Sequence, residues 1–275
     1  MIKRDDIVCG KVLKSFDLEK PEKSYVQKIS YDRRKTMQLK LTIKGNRIWL
    51  PIASAHTIQG FIYHALCQDE TFSGRLHEVG YAAGSRKFKL FTFGELRGRY
   101  EIEGKEIIYP ETVFLEIRST DAYMLQLLYT HFIKHPKKRL GKNEIEIAHA
   151  ALEDTIVFSD AITIKTASPI VVYQTMPDGH TTYFSPEDAE FYDAVVENAK
   201  RKWASYTKSD MVPSFSVTPQ KNARFVKRAT KFKETLITAW HGEFCLEGTP
   251  QMLNFLYHTG LGSKNSQGFG MFDVL

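Results

Sequence analysis

The chain has 275 residues, 43% of them apolar and 12% aromatic, with a formal net charge of +6; that apolar content fills two modest cores and excludes a wholly disordered polyelectrolyte. Its three cysteines, Cys9, Cys67 and Cys245, stand far apart without paired spacing, which excludes a disulfide framework or a cysteine zinc site and points to a reduced, cytoplasmic setting. No apolar run approaches membrane-spanning length, and the basic balance with many aromatics favours a polyanionic partner.

Residues 1–36 are charge-rich, lack a sustained period and are punctuated by Asp17-Leu-Glu-Lys-Pro-Glu-Lys23, which predicts a poorly ordered extension. Gln38–Ile43 alternates as a strand does, and Lys44-Gly45-Asn46 turns it into Arg47–Leu50. From Ser54 to Gln68 the spacing of Ile58, Phe61, Ile62, Ala65 and Leu66 predicts a helix with one buried stripe, and Tyr63 falls off that stripe together with His56 and Gly60. A short helix, Asp69–His77, leads to a strand at Phe88–Phe93. A hairpin of Arg99–Glu103 against Lys105–Tyr109 and a strand Thr112–Ile117 come next. Thr120 is the expected cap of a helix Asp121–Ile133 with the stripe Met124, Leu125, Leu128 and Phe132. A basic linker, His135-Pro-Lys-Lys-Arg139, and a strand Glu144–Ala150 close this half.

The same order then starts again. A strand over Ile162–Val172 precedes Ser185-Pro-Glu-Asp188, which caps a helix to about Trp203. Strands are expected at Ser214–Thr218, Ala223–Lys231 and Thr235–Leu246. Thr249-Pro250 then opens a helix that must stop at Gly260, and Met271–Leu275 is a final strand. Strand, helix, strand, strand, helix, strand, given twice, predicts an α+β chain of two tandem ferredoxin-like (RRM-like) domains with a C-terminal Gly-rich loop. The expected divisions are the extension 1–36, an N-terminal domain 37–153 and a C-terminal domain 154–275.

Two stretches carry chemistry. In Gly260-Leu-Gly-Ser-Lys-Asn-Ser-Gln-Gly-Phe-Gly270 the glycines Gly260, Gly262, Gly268 and Gly270 permit positive φ, while Ser263, Lys264, Asn265 and Ser266 supply donors suited to phosphate. This is neither a Walker loop nor a dinucleotide fingerprint, and a long helix C-cap followed by a turn would use the same composition. The second stretch is basic: Lys221, Arg224, Lys227, Arg228 and Lys231, followed by Lys233. Alternation puts Arg224 and Arg228 on one face of a hairpin that can enter beside an RNA stem, although a lysine-rich edge also serves to resist aggregation. The histidines, His131, His135 and His149 among them, show no metal-ligand spacing.

The Gly260–Gly270 segment resembles the C-terminal signature of the CRISPR-associated RAMP proteins. With Ile58-Gln-Gly-Phe-Ile-Tyr63, Leu76-His77 and Lys89-Leu-Phe-Thr-Phe93 it resembles the repeat-RNA endoribonucleases of the sixth Cas family. The resemblance implies a catalytic histidine at His77, a lysine at Lys89 and a tyrosine at Tyr63, with His64 the rival histidine. It implies metal-independent cleavage within each CRISPR repeat by attack of the ribose 2′-hydroxyl, leaving 2′,3′-cyclic phosphate and 5′-hydroxyl ends, with no cofactor and no metal. A histidine titrates near neutrality and serves as base or acid, a lysine offsets charge on the phosphorane, and a tyrosine orients either oxygen. The implied partners are repeat RNA and other Cas proteins of an effector complex, with monomer and homodimer both open. Two other readings stay open: a repeat-binding subunit that does not cut, and a metal-dependent enzyme using Asp69, Glu70 or Glu78.

In the family this resembles, the protein begins about where Met37 stands, and Arg33-Arg34-Lys35 call for purine-rich codons such as a bacterial ribosome-binding site contains. Mass spectrometry of protein made from the native gene is expected to find Met37 as the first residue. A peptide spanning Arg34 to Gln38 would overturn that.

Overall fold

The computed structural model describes residues 37–67, 81–83, 86–154, 156, 158–176, 178–232 and 235–275. The sequence-predicted extension 1–36, the short helix Asp69–His77, and with them His77, lie outside the described residues.

The first sheet grows from β1 (Met37–Gly45), whose alternation turns Leu39, Leu41 and Ile43 inward. Next in the chain come α1 (Ala55–Leu66), β2 (Phe91–Phe93), β3 (Val113–Ser119), α2 (Ala122–Lys134), β4 (Lys137–Leu140) and β5 (Asn143–Asp154). The strands lie in the order β2-β3-β1-β5-β4, antiparallel throughout. The first strand is therefore central, as a ferredoxin-like unit requires. The α1 stripe of Ile58, Phe61, Ile62, Ala65 and Leu66 is buried. Phe61 stacks on Phe132 of α2 with ring centroids 5.1 Å apart, so the two helices cover one face of the sheet as a pair.

The second half repeats the pattern with β6 (Ala161–Thr166), α3 (Ala189–Thr207), β7 (Phe215–Pro219), β8 (Val226–Phe232), β9 (Thr235–His241), β10 (Glu243–Gly248), α4 (Pro250–Thr259) and β11 (Phe272–Val274). Its sheet order is β7-β10-β6-β11. β8 and β9 stand apart as a hairpin inserted between two strands of that sheet. Phe191 and Val195 of α3, Leu256 of α4, and Ile164, Phe244 and Phe272 of the sheet close one core. Thr249 caps α4 by accepting from the Met252 amide at 3.3 Å, with Pro250 in the first turn.

Several local expectations are corrected. Lys137–Leu140 is not a linker but an edge strand beside β5, where lysines blunt further pairing. The cap of α2 is Asp121, whose carboxylate accepts from the Tyr123 and Met124 amides, and not Thr120. Ser185–Asp188 does lead into α3 with Asp188 at the N-cap, but the Asp188 carboxylate accepts from the Ser185 amide at 2.7 Å and not from the helix. The strand expected over Ile162–Val172 ends at Thr166, because the Ala167 and Ser168 amides both turn to the Met271 carbonyl. Thr235–Leu246 is two strands broken at Gly242, where the Phe225 ring comes within 2.5 Å of the place a Cβ would take. The hairpin Glu101–Glu103 with Glu106–Tyr109 joins Ile48–Pro51 in a separate three-stranded sheet and not the main one.

Residues 36–275 form one compact unit, and the two halves meet at Arg118 of β3, which is 1% exposed. Its guanidinium donates to the Phe272 carbonyl at 2.5 Å, to Asp273 at 3.1 Å and to Glu116 at 2.7 Å. It also lies 3.6 Å over the Tyr257 ring of α4, and Tyr257 donates back to Gln38 of β1 at 3.1 Å. A planar fork that stacks and donates at once suits this place, where an ammonium would not. Arg118→Met is expected to lower unfolding free energy by on the order of 3 kcal/mol, because it takes the side-chain donor from the Phe272 carbonyl and from the half-buried Glu116 carboxylate, while Asp273 keeps Arg97. Urea denaturation checks this, and a loss below about 1 kcal/mol would show the seam closing without it.

Candidate nucleic-acid cleavage site

Gln59 and Tyr63 sit one helical turn apart on α1 and so share a face. That face meets the C-terminal loop: Gln59 donates to the Ser266 carbonyl at 2.8 Å, and the Ser266 side chain hydrogen-bonds to Tyr63. Lys89, two residues before β2, donates to the Tyr63 hydroxyl at 3.0 Å and lies 5.0 Å from its ring centroid. The next residue, Leu90, has φ +25, a conformation a branched side chain adopts only under constraint. Its carbonyl accepts from Ser119 at 3.2 Å. That hold on the backbone fixes where Lys89 leaves the sheet.

Burial pushes the Tyr63 phenol well above the ordinary tyrosine range, only partly offset by the Ser266 bond. It therefore stays protonated at any physiological pH and acts as a donor. Burial pulls the Lys89 ammonium below the ordinary lysine range. A cavity of about 240 Å³ opens beside the pair, lined by Gln59, Lys87, Lys89, Lys202, Lys264 and Gln267, among others.

The loop itself is wound more tightly than phosphate binding alone would ask. Gly260, Gly262, Gly268 and Gly270 all have φ between +63 and +88. The Asn265 amide donates to Leu261 at 2.8 Å and to Phe269 at 3.0 Å, so these donors, expected to face a ligand, are taken up inside the loop. Its nitrogen lies 2.7 and 2.6 Å from where Cβ atoms on Gly260 and Gly270 would stand. Gly268 passes over the Phe93 ring, and Gly262 over the Val171 carbonyl. Ser263, Lys264 and Ser266 are half-exposed, with Lys264 and Ser266 on the cavity and the Ser263 hydroxyl accepting from Asn198 at 3.4 Å. Beneath the loop, Lys202 of α3 is 2% exposed, and burial pushes it down to about 7.

The basic hairpin joins this loop through one apolar cluster of Val171, Ile237, Ala239 and Phe269. Lys221, Arg224, Lys227 and Arg228 are exposed, Lys227 with its ammonium 5.9 Å from the Trp240 ring centroid; Lys231 occupies a β8 position paired with Leu236. Arg224 lies in the turn before β8, so it does not share a strand face with Arg228.

The structure separates His64 from Tyr63 and Lys89. It is exposed on another side of α1, in a groove it shares with His56, His131 and Lys138. His131 there is pushed down to about 4 by burial and by the nearby Lys138, His135 and His64. The carboxylates weighed for a metal-dependent reaction, Asp69, Glu70 and Glu78, lie outside the described residues. Sequence reasoning missed Gln59 and Lys202. Lys202 had a signal: it follows Phe191, Val195 and Asn198 at i+4, i+7 and i+11, in the apolar phase of its helix.

Residues 152–274 match the family model for the C-terminal part of the CRISPR-associated protein Cas6. A protein of Methanocaldococcus jannaschii named CRISPR-associated endoribonuclease Cas6 1 is 27% identical over 253 residues, spanning 86% of this chain and 92% of that protein. Over most of its length the chain is similar to Cas6 endoribonucleases. A solved structure described as CRISPR associated protein Cas6 superposes with a TM-score of 0.73 at 24% identity, covering 88% of this chain and all of that one. A Cas6-related protein from Pyrococcus furiosus gives 0.76 at 18% identity, covering 87% and 98%. These two structures share the tandem ferredoxin-like fold with this chain.

The loop geometry separates packing from ligand approach. Gly270→Ala places a Cβ 1.9 Å from the Leu261 carbonyl and is expected to cost about 3 kcal/mol with no RNA present. Gly60→Ala, on an exposed helix position with nothing within 4 Å, is expected to gain about 0.5–1 kcal/mol. Thermal melts of the two variants check both signs.

Proposed function

We propose that this chain is a metal-independent endoribonuclease that binds CRISPR repeat RNA and cuts precursor transcripts once per repeat. The reading is carried by the Lys89–Tyr63 contact at the edge of the C-terminal loop, in a family whose named relatives are CRISPR-associated endoribonucleases. Transesterification asks for this kind of group. The 2′-hydroxyl loses a proton and attacks the adjacent phosphorus, the phosphorane gathers negative charge, and the P–O5′ bond breaks as the leaving oxygen gains a proton. The products are a 2′,3′-cyclic phosphate and a 5′-hydroxyl, and no oxidant or water is consumed.

In this scheme His77 moves the proton, and one such group contributes roughly 10²- to 10⁴-fold in rate. Lys89 faces the phosphorane, its lowered proton affinity suiting it to share a proton with the leaving oxygen. The protonated Tyr63 donates to a non-bridging oxygen. Lys221, Arg224, Lys227, Arg228 and Lys231 on the hairpin, with Ser263, Lys264 and Ser266 on the loop, hold phosphates on the way to the site. The candidate catalytic groups belong to residues 37–153 and the RNA-holding hairpin and loop to 154–275, so the substrate lies across both. No helix among the described residues is long and apolar enough to cross a membrane, and we place the activity in the cytoplasm, with other Cas proteins of an effector complex as its partners.

The test is cleavage of end-labelled repeat RNA in EDTA, with binding measured alongside at several salt concentrations. The wild type is expected to cut at one site. His77→Ala should bind almost unchanged and cut at least about 100-fold more slowly. The Arg224→Ala/Arg228→Ala pair should bind more weakly, with the log–log salt slope reduced by about 1.4. A wild type that binds without cutting is a repeat-holding subunit, and one that cuts only when metal is restored overturns the metal-independent mechanism.

A further inference from the structure

Lys202 is a charged side chain in an apolar phase, and no described carboxylate accepts from it. Its ammonium donates to the Gly260 carbonyl, to the Asn265 side-chain oxygen at 3.1 Å and to the Thr259 carbonyl at 3.5 Å. An ammonium at 2% exposure with only neutral acceptors carries a desolvation cost that a methionine of similar length would avoid. What the amine holds must therefore explain it.

Its acceptors belong to the helix end and to the hub of the loop. Held by Lys202, Asn265 donates with its other end to Leu261 and Phe269, tying both arms of the loop together. Asn265 also opens the short 3₁₀ turn Asn265–Gln267, closed by the Gly268 amide on the Asn265 carbonyl at 3.0 Å. The middle residue of that turn is Ser266, whose carbonyl accepts from Gln59 and whose side chain bonds to Tyr63. A path of two hydrogen bonds joined by the Asn265–Ser266 peptide link thus runs from a buried ammonium on α3, through the loop, to the phenol that Lys89 also touches.

We propose that Lys202 is a positioning residue for RNA cleavage: it fixes the Asn265–Gln267 turn and through Ser266 sets the orientation of the Tyr63 hydroxyl, without itself touching the scissile phosphate. The proposal rests on the endoribonuclease reading for its catalytic consequence, but not for the hold on the loop. Three other lysines, Lys87, Lys89 and Lys264, face the same cavity. Lys202 differs from them in being buried.

The experiment compares wild type, Lys202→Met and Lys202→Ala by single-turnover cleavage, repeat-RNA binding and hydrogen exchange of residues 259–270. Lys202→Met keeps the volume and is expected to stay folded, to bind within about threefold of wild type and to cut at least about tenfold more slowly, as misplacement of a reacting group does. Exchange protection should fall in the loop and stay unchanged in α1. Methylammonium, which can reoccupy the space left in Lys202→Ala and donate, should restore part of its rate, whereas tetramethylammonium, which has no N–H, should not. Cleavage by Lys202→Met within about twofold of wild type overturns the proposal, as does a rate loss matched by the loss of binding. If the wild type itself does not cut, the endoribonuclease reading fails separately. The exchange comparison then decides alone: lost loop protection upholds the hold of Lys202 on the turn, and equal protection overturns it.

Discussion

The contact on which the rest of this molecule depends is the buried guanidinium of Arg118. Each ferredoxin-like half has its own apolar core, yet the candidate reactive groups of the first half are braced by the loop of the second. Tyr63 and Lys89 come from the first half, and Ser266 with the lysines around it comes from the second. Angular slack between the halves would separate the Lys89–Tyr63 pair from the loop by more than a hydrogen bond can bridge. Arg118 limits that slack by binding the last strand of the second sheet from within the first while stacking on α4. Around it, Thr92 reaches the Phe269 carbonyl at 3.2 Å and Arg97 reaches Asp273 at 2.6 Å, so the seam is polar but well connected. A charge buried this way is costly to leave unpaired, which makes the seam specific as well as strong.

Much of the fold was legible in the sequence because its signals are local. The period of Ile58, Phe61, Ile62, Ala65 and Leu66, and the Thr249-Pro250 helix start, each need only a few neighbouring residues to be read. The misread elements have distant causes. Lys137–Leu140 becomes a strand because β5 offers it an edge, and Thr235–Leu246 breaks at Gly242 because the Phe225 ring, folded over from an earlier turn, occupies the space a side chain would need. Composition says nothing about such encounters.

The site shows the same division. The glycines at 260, 262, 268 and 270 were visible, but their reason was not. They read as openings for a ligand, and in the structure much of the space above them belongs to Asn265, Phe93 and the protein's own carbonyls. That Tyr63 faces Ser266, 203 positions later in the chain, follows from no spacing rule, and the placing of His64 in a different groove depends on how α2 and β4 pack. Lys202 was the opposite case, a lysine whose periodic position announced its burial while lysine as a residue type argued for solvent.

The seam also has a direction in time. The Phe272 carbonyl that receives the Arg118 guanidinium is 154 residues further along. At roughly 5–20 residues per second a ribosome needs on the order of ten to thirty seconds to supply that stretch. During that interval the first half can complete its own core, but its arginine has neither Asp273 nor the Phe272 carbonyl to meet and must keep its water. A nascent chain gains those acceptors only when its last strand arrives, so one that stalls just before β11 is nearly complete and still leaves the Arg118 guanidinium without the Phe272 and Asp273 partners that join the two halves.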